Sequence, residues 1–368
     1  MHRASPNIYE GELHEVTHSL IPDLKRVAMT DGHVAIYIGN GHAAWEAALA
    51  NVLSPGDTVL VLATGRFCIG WGEMAADLGM QVETLDFGSE APVDLAQVEA
   101  ALAADVDGRI KAVLAVHVDT STSVKNDVPG LRAALDKVGH DALLMVDCIA
   151  SLGCDRFEMD AWGVDVMVAA CQKGLMTPAG VSFVWYNDKA DACRPELVSR
   201  YWDWRARTEP EVYYQYFDGT APTHHIYGLR KAMDMILDEG LEHVFARHET
   251  LARAIWAAFN CWSHPEGMRL NIADPTARSH AVTSVAMRSP DADRLRRWCE
   301  DECGLILGIG LGRDPADAYF RIGHMGHVNA HMIMGVLGTL QAGLAALDIP
   351  HETGALDAAA GVIAKGAS

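Results

Sequence analysis

The chain has 368 residues, enough for more than one compact unit, and its 50% apolar and 21% charged residues are the balance of a folded protein. Lys plus Arg number 29 against 49 Asp plus Glu, a formal charge of −20. That excess argues against non-specific nucleic-acid binding and against docking on anionic lipid, while a small anionic ligand in a locally positive pocket stays open. The apolar runs at 112–116, 142–146 and 166–171 are far shorter than the roughly 20 residues of a bilayer span, and no basic-then-apolar start of secretory type is present. The eight cysteines include no CxxC pair, which speaks for a reduced, cytoplasmic protein rather than a zinc knuckle or a disulfide scaffold.

Residues 11–29 place Leu13, Val16, Leu20, Leu24 and Val27 at three- and four-residue spacing, one apolar stripe of a helix. A strand at 33–38 leads through Gly39-Asn40-Gly41-His42 into a helix at 43–52. Ser54-Pro55-Gly56-Asp57 is a turn before a strand at 58–62. The alternation continues with helix 69–78, strand 81–85, helix 94–103, strand 110–116, helix 129–138 and strand 142–146, then two further strands at 165–169 and 181–186. Helices alternating with short Val-rich strands predict an α/β fold around a mostly parallel sheet, its strands covered on both faces.

The pattern changes near residue 190. Tyr201, Trp202, Trp204, Tyr213, Tyr214, Tyr216 and Phe217 fall without period within 194–224, a composition suited to a loop over a pocket mouth or to a subunit interface. A long helical region at 225–260 bridges into a second unit. There, strand 281–287, helix 291–302, strand 319–322 and helix 331–347 predict a smaller α+β fold. The expected division is a large α/β domain at 15–225, a small α+β domain at 226–350 that residues 1–14 could complete, and a tail at 351–368 with no clear element. No internal repeat is visible.

Three places carry candidate chemistry. The junction Gly39-Asn40-Gly41-His42-Ala43-Ala44 joins strand to helix, where backbone N–H groups and the helix dipole favour an anion; a plain tight turn fits as well. There is no GxGxxG and no GxxxxGK[ST]. Asp147 ends an apolar strand, and open parallel sheets bind ligands beyond the carboxyl ends of their strands. Lys173, in Ala170-Cys171-Gln172-Lys173-Gly174, closes another strand, and its amine could add to a carbonyl if placed in a pocket. Singly, each fits a solvated strand end. Together they fit pyridoxal phosphate, which needs a carboxylate opposite its ring nitrogen, a lysine for its aldehyde and a cradle for its phosphate. No histidine spacing suits a metal, so none is expected.

Six segments stand in an order that is familiar. They are Gly41-His42-Ala43-Ala44-Trp45-Glu46-Ala47-Ala48-Leu49, Ser54-Pro55-Gly56-Asp57, His117-Val118-Asp119-Thr120-Ser121-Thr122, Val146-Asp147-Cys148-Ile149-Ala150-Ser151-Leu152-Gly153, Cys171-Gln172-Lys173-Gly174 with Pro178-Ala179-Gly180, and Phe320-Arg321-Ile322-Gly323-His324-Met325-Gly326. In register over about residues 1–350, they make the chain resemble the class V branch of fold-type I pyridoxal-phosphate aminotransferases. The likeness is greatest to the alanine–glyoxylate, serine–pyruvate and serine–glyoxylate aminotransferases. The resemblance implies a mostly parallel seven-stranded sheet flanked by helices, with a smaller α+β C-terminal domain.

By the same resemblance Lys173 holds the cofactor's aldehyde and then moves the substrate's α-proton, and Asp147 pairs with the ring nitrogen, although it would also serve as a helix cap. Gly41, His42, Ala43 and Gln172 receive the phosphate. Thr220 reaches the phosphate of the neighbouring subunit in a homodimer. Phe67 stacks on the ring, with ordinary core packing as the alternative; Thr120 and Ile149 line it. Arg321 takes the substrate α-carboxylate through its planar fork.

The implied activity moves an amino group from serine, alanine or aspartate to glyoxylate or pyruvate by a ping-pong mechanism. Rival readings are a pyridoxamine–pyruvate aminotransferase, a cysteine desulfurase relative relying on Cys303, and a truncated non-catalytic homologue. The last is motivated by the opening: family members carry a Pro-Gly-Pro-[Thr/Ser] segment well before a His-Arg-x-Pro, whereas here His2-Arg3-Ala4-Ser5-Pro6 comes first. Asp119 stands where the family has Glu, Ser123 where relatives often have Gly, Cys171 where many have Ser, and Phe217 where several have Tyr.

Overall fold

A computed structural model describes residues 3–193, 195, 198–264 and 267–366. His2 of the opening motif, three residues at the start of the aromatic stretch and the last two of the tail lie outside the described residues. Seven strands form the first sheet: β1 (His33–Gly39), β2 (Thr58–Ala63), β3 (Gln81–Asp86), β4 (Ile110–Val116), β5 (Leu143–Asp147), β6 (Val166–Ala170) and β7 (Gly180–Tyr186). Each begins and ends within one residue of its expected position. Their order is β1-β7-β6-β5-β4-β2-β3, parallel throughout except that β7 runs against both neighbours. β2, β5 and β6 are buried along their whole length, as apolar strands roofed on both faces should be. The edge strand β3 is largely exposed.

Helices α1 (Glu12–Ala28), α2 (Gly41–Val52), α3 (Arg66–Asp77), α4 (Leu95–Ala104) and α5 (Val128–Val138) alternate with these strands. One apolar layer joins α1, α4 and α5 to one face of the sheet, and a second joins α2 and α3 to the other. α3 starts three residues before the pattern suggested. Its first N–H groups are taken by Ser121 Oγ (from Arg66, 3.0 Å) and Asp119 Oδ2 (from Phe67, 2.9 Å), so a tertiary cap replaces the local one.

After the short helices α6 (Asp188–Ala192) and α7 (Arg205–Thr208), the aromatic stretch packs largely into its own chain. Trp204 stacks on Tyr186 at 3.9 Å and Tyr213 on His14 at 3.6 Å. The buried guanidinium of Arg207 donates to the carbonyls of Ile36, Tyr201 and Tyr216. The expected single helical region at 225–260 is two helices, α8 (Thr223–Glu239) and α9 (Leu241–Trp262). They break at Gly240, whose φ of 83° lies outside the helical basin.

The second unit holds a four-stranded antiparallel sheet of order β10-β11-β9-β8, from β8 (Met268–Leu270), β9 (Val282–Met287), β10 (Gly308–Ile309) and β11 (Tyr319–Gly323). β8 and β10 were invisible to periodicity because they hold only three and two residues. Helices α10 (Asp291–Cys303) and α11 (Ala330–Ala346) cover it. The tail, expected to be featureless, forms α12 (Ala355–Gly366) against α9. Its small side chains let the two helices approach closely, and Ala355 and Ala359 are wholly buried. Alanine is also the strongest helix former, so composition that gave no period still gave a helix.

Candidate active site

The carboxyl ends of β4, β5 and β6 meet at one cleft of about 150 Å3, lined by Asn40, Gly41, His42, Trp45, Phe67, Val118, Thr120, Asp147, Ile149, Gln172 and Lys173. Strand geometry brings them together. Asp147 is the last residue of β5, Thr120 lies just past β4, Lys173 sits in the loop from β6 to β7, and Gly41 opens the helix after β1.

Asp147 is almost fully buried. Its Oδ2 accepts the indole N–H of Trp45 at 2.8 Å and its Oδ1 accepts the backbone N–H of Ile149 at 2.6 Å. Burial pushes this carboxyl up to about 7; the two donors and Lys173 oppose that push, and nearby Asp119 adds to it. Lys173 is shifted the other way. Burial and the charge of Arg321 lower it from the ordinary lysine range, against the pull of Asp147. The site thus holds a lysine pressed toward the neutral amine beside a carboxylate short of cationic partners.

Arg321, on β11, donates from Nε to the Ile309 carbonyl (2.8 Å) and from Nη1 to the Thr120 carbonyl (2.9 Å). It lies outside the cleft wall but is tied to it through Thr120. At the other end, a Cβ on Gly41 would meet the tip of the Ile149 side chain, so the glycine lets Ile149 lie close against the helix terminus. Asn40 caps α2: its side chain takes the His42 N–H (3.0 Å) and its carbonyl the Ala43 N–H (3.0 Å). Gln172 Oε1 is buried without a hydrogen-bond partner.

Residues 25–326 match the family described as Aminotransferase class-V. The chain is a class-V aminotransferase. It is 35% identical over 335 residues to a serine–glyoxylate aminotransferase of Methylorubrum extorquens, covering 88% of this chain and 81% of the relative. It is 35% identical over 351 residues to an L-aspartate–glyoxylate aminotransferase of Paracoccus denitrificans, covering 93% and 86%. Among solved structures, a ureidoglycine–glyoxylate aminotransferase of Bacillus subtilis superposes with a TM-score of 0.84 at 27% identity, covering 95% of this chain and 89% of that one.

Membership makes the aminotransferase a transaminase dependent on pyridoxal phosphate, and the residues present fit that group. A buried carboxylate lacking a full complement of donors suits a ring nitrogen, and the helix terminus at Gly41 suits an anion. When bound, the cofactor supplies an aldehyde for the amino group and an electron-withdrawing ring. Among the described residues no group of His, Cys, Asp or Glu could hold a metal, and no helix is long and apolar enough to cross a membrane.

Of the residues singled out from sequence, Gly41, His42, Phe67, Thr120, Asp147, Ile149, Gln172 and Lys173 line the cleft. Ala43 does not; its N–H is already spent on Asn40, as is that of His42. The helix-terminus end of the cleft therefore presents the Gly41 N–H, the exposed His42 ring and the Gln172 side-chain amide. Thr220 is exposed in a separate cleft of about 700 Å3 with Ile8, Tyr9, His14 and His18. Sequence reasoning assigned no role to Asn40, Trp45, Val118 or Asp119. Trp45 had a signal: it stands one helical turn after Gly41, on the same face, and a buried indole N–H needs an acceptor.

Proposed function

We propose that this aminotransferase moves the amino group of a small amino acid, serine, alanine or aspartate, to glyoxylate or pyruvate in two half-reactions at one site. The names of the Methylorubrum and Paracoccus relatives support this substrate class. The observation that carries the assignment of roles is the single cleft shared by Lys173 and Asp147, with Arg321 at its edge.

Lys173 Nζ, held toward its neutral form, would hold the cofactor's aldehyde and, when free, would take the proton from the substrate α-carbon and later return one. Asp147 holds the ring nitrogen protonated. Arg321 orients the α-carboxylate of donor and acceptor alike, its Nε and Nη1 fixed on Ile309 and Thr120. Phe67 and Ile149 would flank the ring, while Gly41, His42 and the Gln172 amide would hold the phosphate. The eight cysteines without CxxC spacing support a cytoplasmic protein. Exposed Tyr9, Val212 and Tyr214 beside Thr220 support a homodimer whose partner receives Thr220.

A donor–acceptor matrix tests the reading. Serine, alanine, aspartate and free pyridoxamine are each paired with glyoxylate and pyruvate, in the wild type and in Lys173→Ala. Turnover with an amino acid and glyoxylate in the wild type alone supports it; turnover with pyridoxamine only, or undiminished turnover in Lys173→Ala, overturns it. Arg321→Lys is expected to raise KM for donor and acceptor about tenfold or more, because a point charge cannot replace the fork. Cofactor affinity should be unchanged, and a defect confined to the cofactor would refute the role.

A further inference from the structure

Trp45 occupies an unusual position in the cleft. It is almost fully buried one turn inside α2, and three rings surround its own: the His42 ring edge-on with centroids 4.5 Å apart, Phe67 at 6.3 Å, and Trp71 stacked behind it at 6.1 Å. Its N–H reaches Asp147 Oδ2 at 2.8 Å, while the Ile149 N–H holds Oδ1 at 2.6 Å. Two donors on different oxygens fix the plane of a carboxylate, which with one donor could turn about its Cβ–Cγ bond. The carboxylate is then left with only the acceptor capacity that opens on the cleft.

We infer that Trp45 is the positioning residue for Asp147, its indole N–H holding the carboxylate in one orientation and in its charged form for the cofactor's ring nitrogen. This rests on the reading of Asp147 given above. Packing alone does not need the N–H: phenylalanine would fill much of the same space between His42, Phe67 and Trp71. Trp71 supplies the contrast, since its own indole N–H is buried without a partner. A charged acceptor gains more from a donor than a neutral one does, so Trp45 favours the carboxylate against the burial that raises Asp147.

The test compares Trp45→Phe with Trp71→Phe and Asp147→Asn. In wild-type protein freed of cofactor, one indole 1H–15N resonance is expected to move with pH. It should stand still in Asp147→Asn and be missing in Trp45→Phe. Trp45→Phe should move the Asp147 titration, read from melting temperature against pH, alkaline by about one pH unit. It should also weaken pyridoxal phosphate binding about tenfold with the KM of the amino donor unchanged. Trp71→Phe should follow the wild type in every reading. A wild type in which no indole resonance titrates overturns the inference, as does a Trp45→Phe protein with wild-type titration and cofactor affinity. Should Trp45→Phe not fold, the wild-type and Asp147→Asn spectra still decide. Failure of the functional reading shows separately, as wild-type protein whose Lys173 carries no adduct after incubation with pyridoxal phosphate and borohydride.

Discussion

Asp147 and Asp155 both follow the body of β5, both are buried, and their surroundings drive them in opposite directions. Asp155 accepts the Ser279 hydroxyl and the His280 backbone N–H, each at 3.0 Å. Lys125 Nζ lies at 3.6 Å and His280 Nδ1 at 3.3 Å. These charges and donors outweigh burial and hold its carboxyl below the usual range. Asp147 has two donors, one lysine and an adverse neighbour in Asp119, and burial wins, taking it to about 7. Asp155 borders the larger cleft, about 700 Å3 between the two sheet units, against about 150 Å3 at Asp147. Volume therefore points to the wrong place. The useful signal is the buried carboxyl that its surroundings push up, because groups perturbed in this way cluster at functional sites. Asp155 instead staples Ser279 and His280 of the second unit to the first.

Exchanging each for asparagine should separate the two roles. Asp147→Asn is expected to lower kcat about 10²–10³-fold, through loss of the charge opposite the ring nitrogen. In cofactor-free protein it should leave urea stability at pH 8 unchanged or higher. Asp155→Asn should keep kcat and cofactor affinity near wild type and lose about 2–3 kcal/mol in urea unfolding. That lies below the usual cost of breaking a buried pair, since Lys125 and His280 retain some water. An inactive Asp155→Asn of normal stability, or an Asp147→Asn that loses stability like it, would undo the contrast.

The pH dependence of stability sharpens it further. The Asp147 carboxyl is raised on folding, so the native state holds a proton that the unfolded chain gives up near 4. Its contribution is full below that pH and declines as pH rises through about 7. Asp155 is depressed, so its contribution is present above the ordinary carboxyl range and declines as pH falls through its lower native value. Histidines complicate the middle. His117, pushed down to about 4 by burial beside Phe157, favours the fold above its ordinary value of 6.5 and less as pH falls toward 4. The informative quantity is thus the difference between variants. Wild type minus Asp147→Asn, without cofactor, should fall by up to about 4 kcal/mol between pH 4 and 8. Wild type minus Asp155→Asn should fall on acidifying below pH 4. Pyridoxal phosphate should flatten the first difference and leave the second; a flat first difference in cofactor-free protein would contradict the burial argument.

Much of this was readable from the sequence, for identifiable reasons. Most strands of the first sheet announced themselves because buried strands are continuous apolar runs, the exposed edge strand β3 being the exception, and the cleft residues lie at strand ends that those runs locate. Contacts between distant elements were not readable. Asp119 looked like a shortened family glutamate, yet it caps α3 through Phe67 and so starts that helix early. Ser123, where relatives often carry glycine, adopts φ 63° and has its hydroxyl held by the Ser284 N–H at 3.1 Å. A tertiary hydrogen bond thus supports a backbone that glycine would reach without strain. The role of Trp45 was hidden because a tryptophan inside an apolar helix reads as core until its N–H is seen to face a carboxylate.

The smallest effect concerns Thr220, where the same chain provides a second contrast. The β5–β6 side of the cleft is built from one chain, whereas Thr220 sits exposed at a different cleft, beside the exposed rings of Tyr9 and Tyr214. If a second copy covers this face, association must rest on apolar burial, because two chains of −20 repel at long range. Isologous twofold pairing lets each copy give and receive the same loop. Thr220→Ala should then weaken cofactor retention only a few-fold, the worth of one hydroxyl donor, and leave attachment at Lys173 intact. Mixed dimers of Thr220→Ala and Lys173→Ala chains decide which phosphate the hydroxyl meets. With a crossing loop, the Lys173→Ala site collects both lesions and the other site is whole, so hybrids show half the active sites at wild-type cofactor affinity. With a loop that stays home, the one active site carries the Thr220 lesion, and hybrids show half the sites at the weakened affinity. Cofactor titration of purified hybrids distinguishes these outcomes. A single fully active chain in sedimentation would remove the need for the partner altogether.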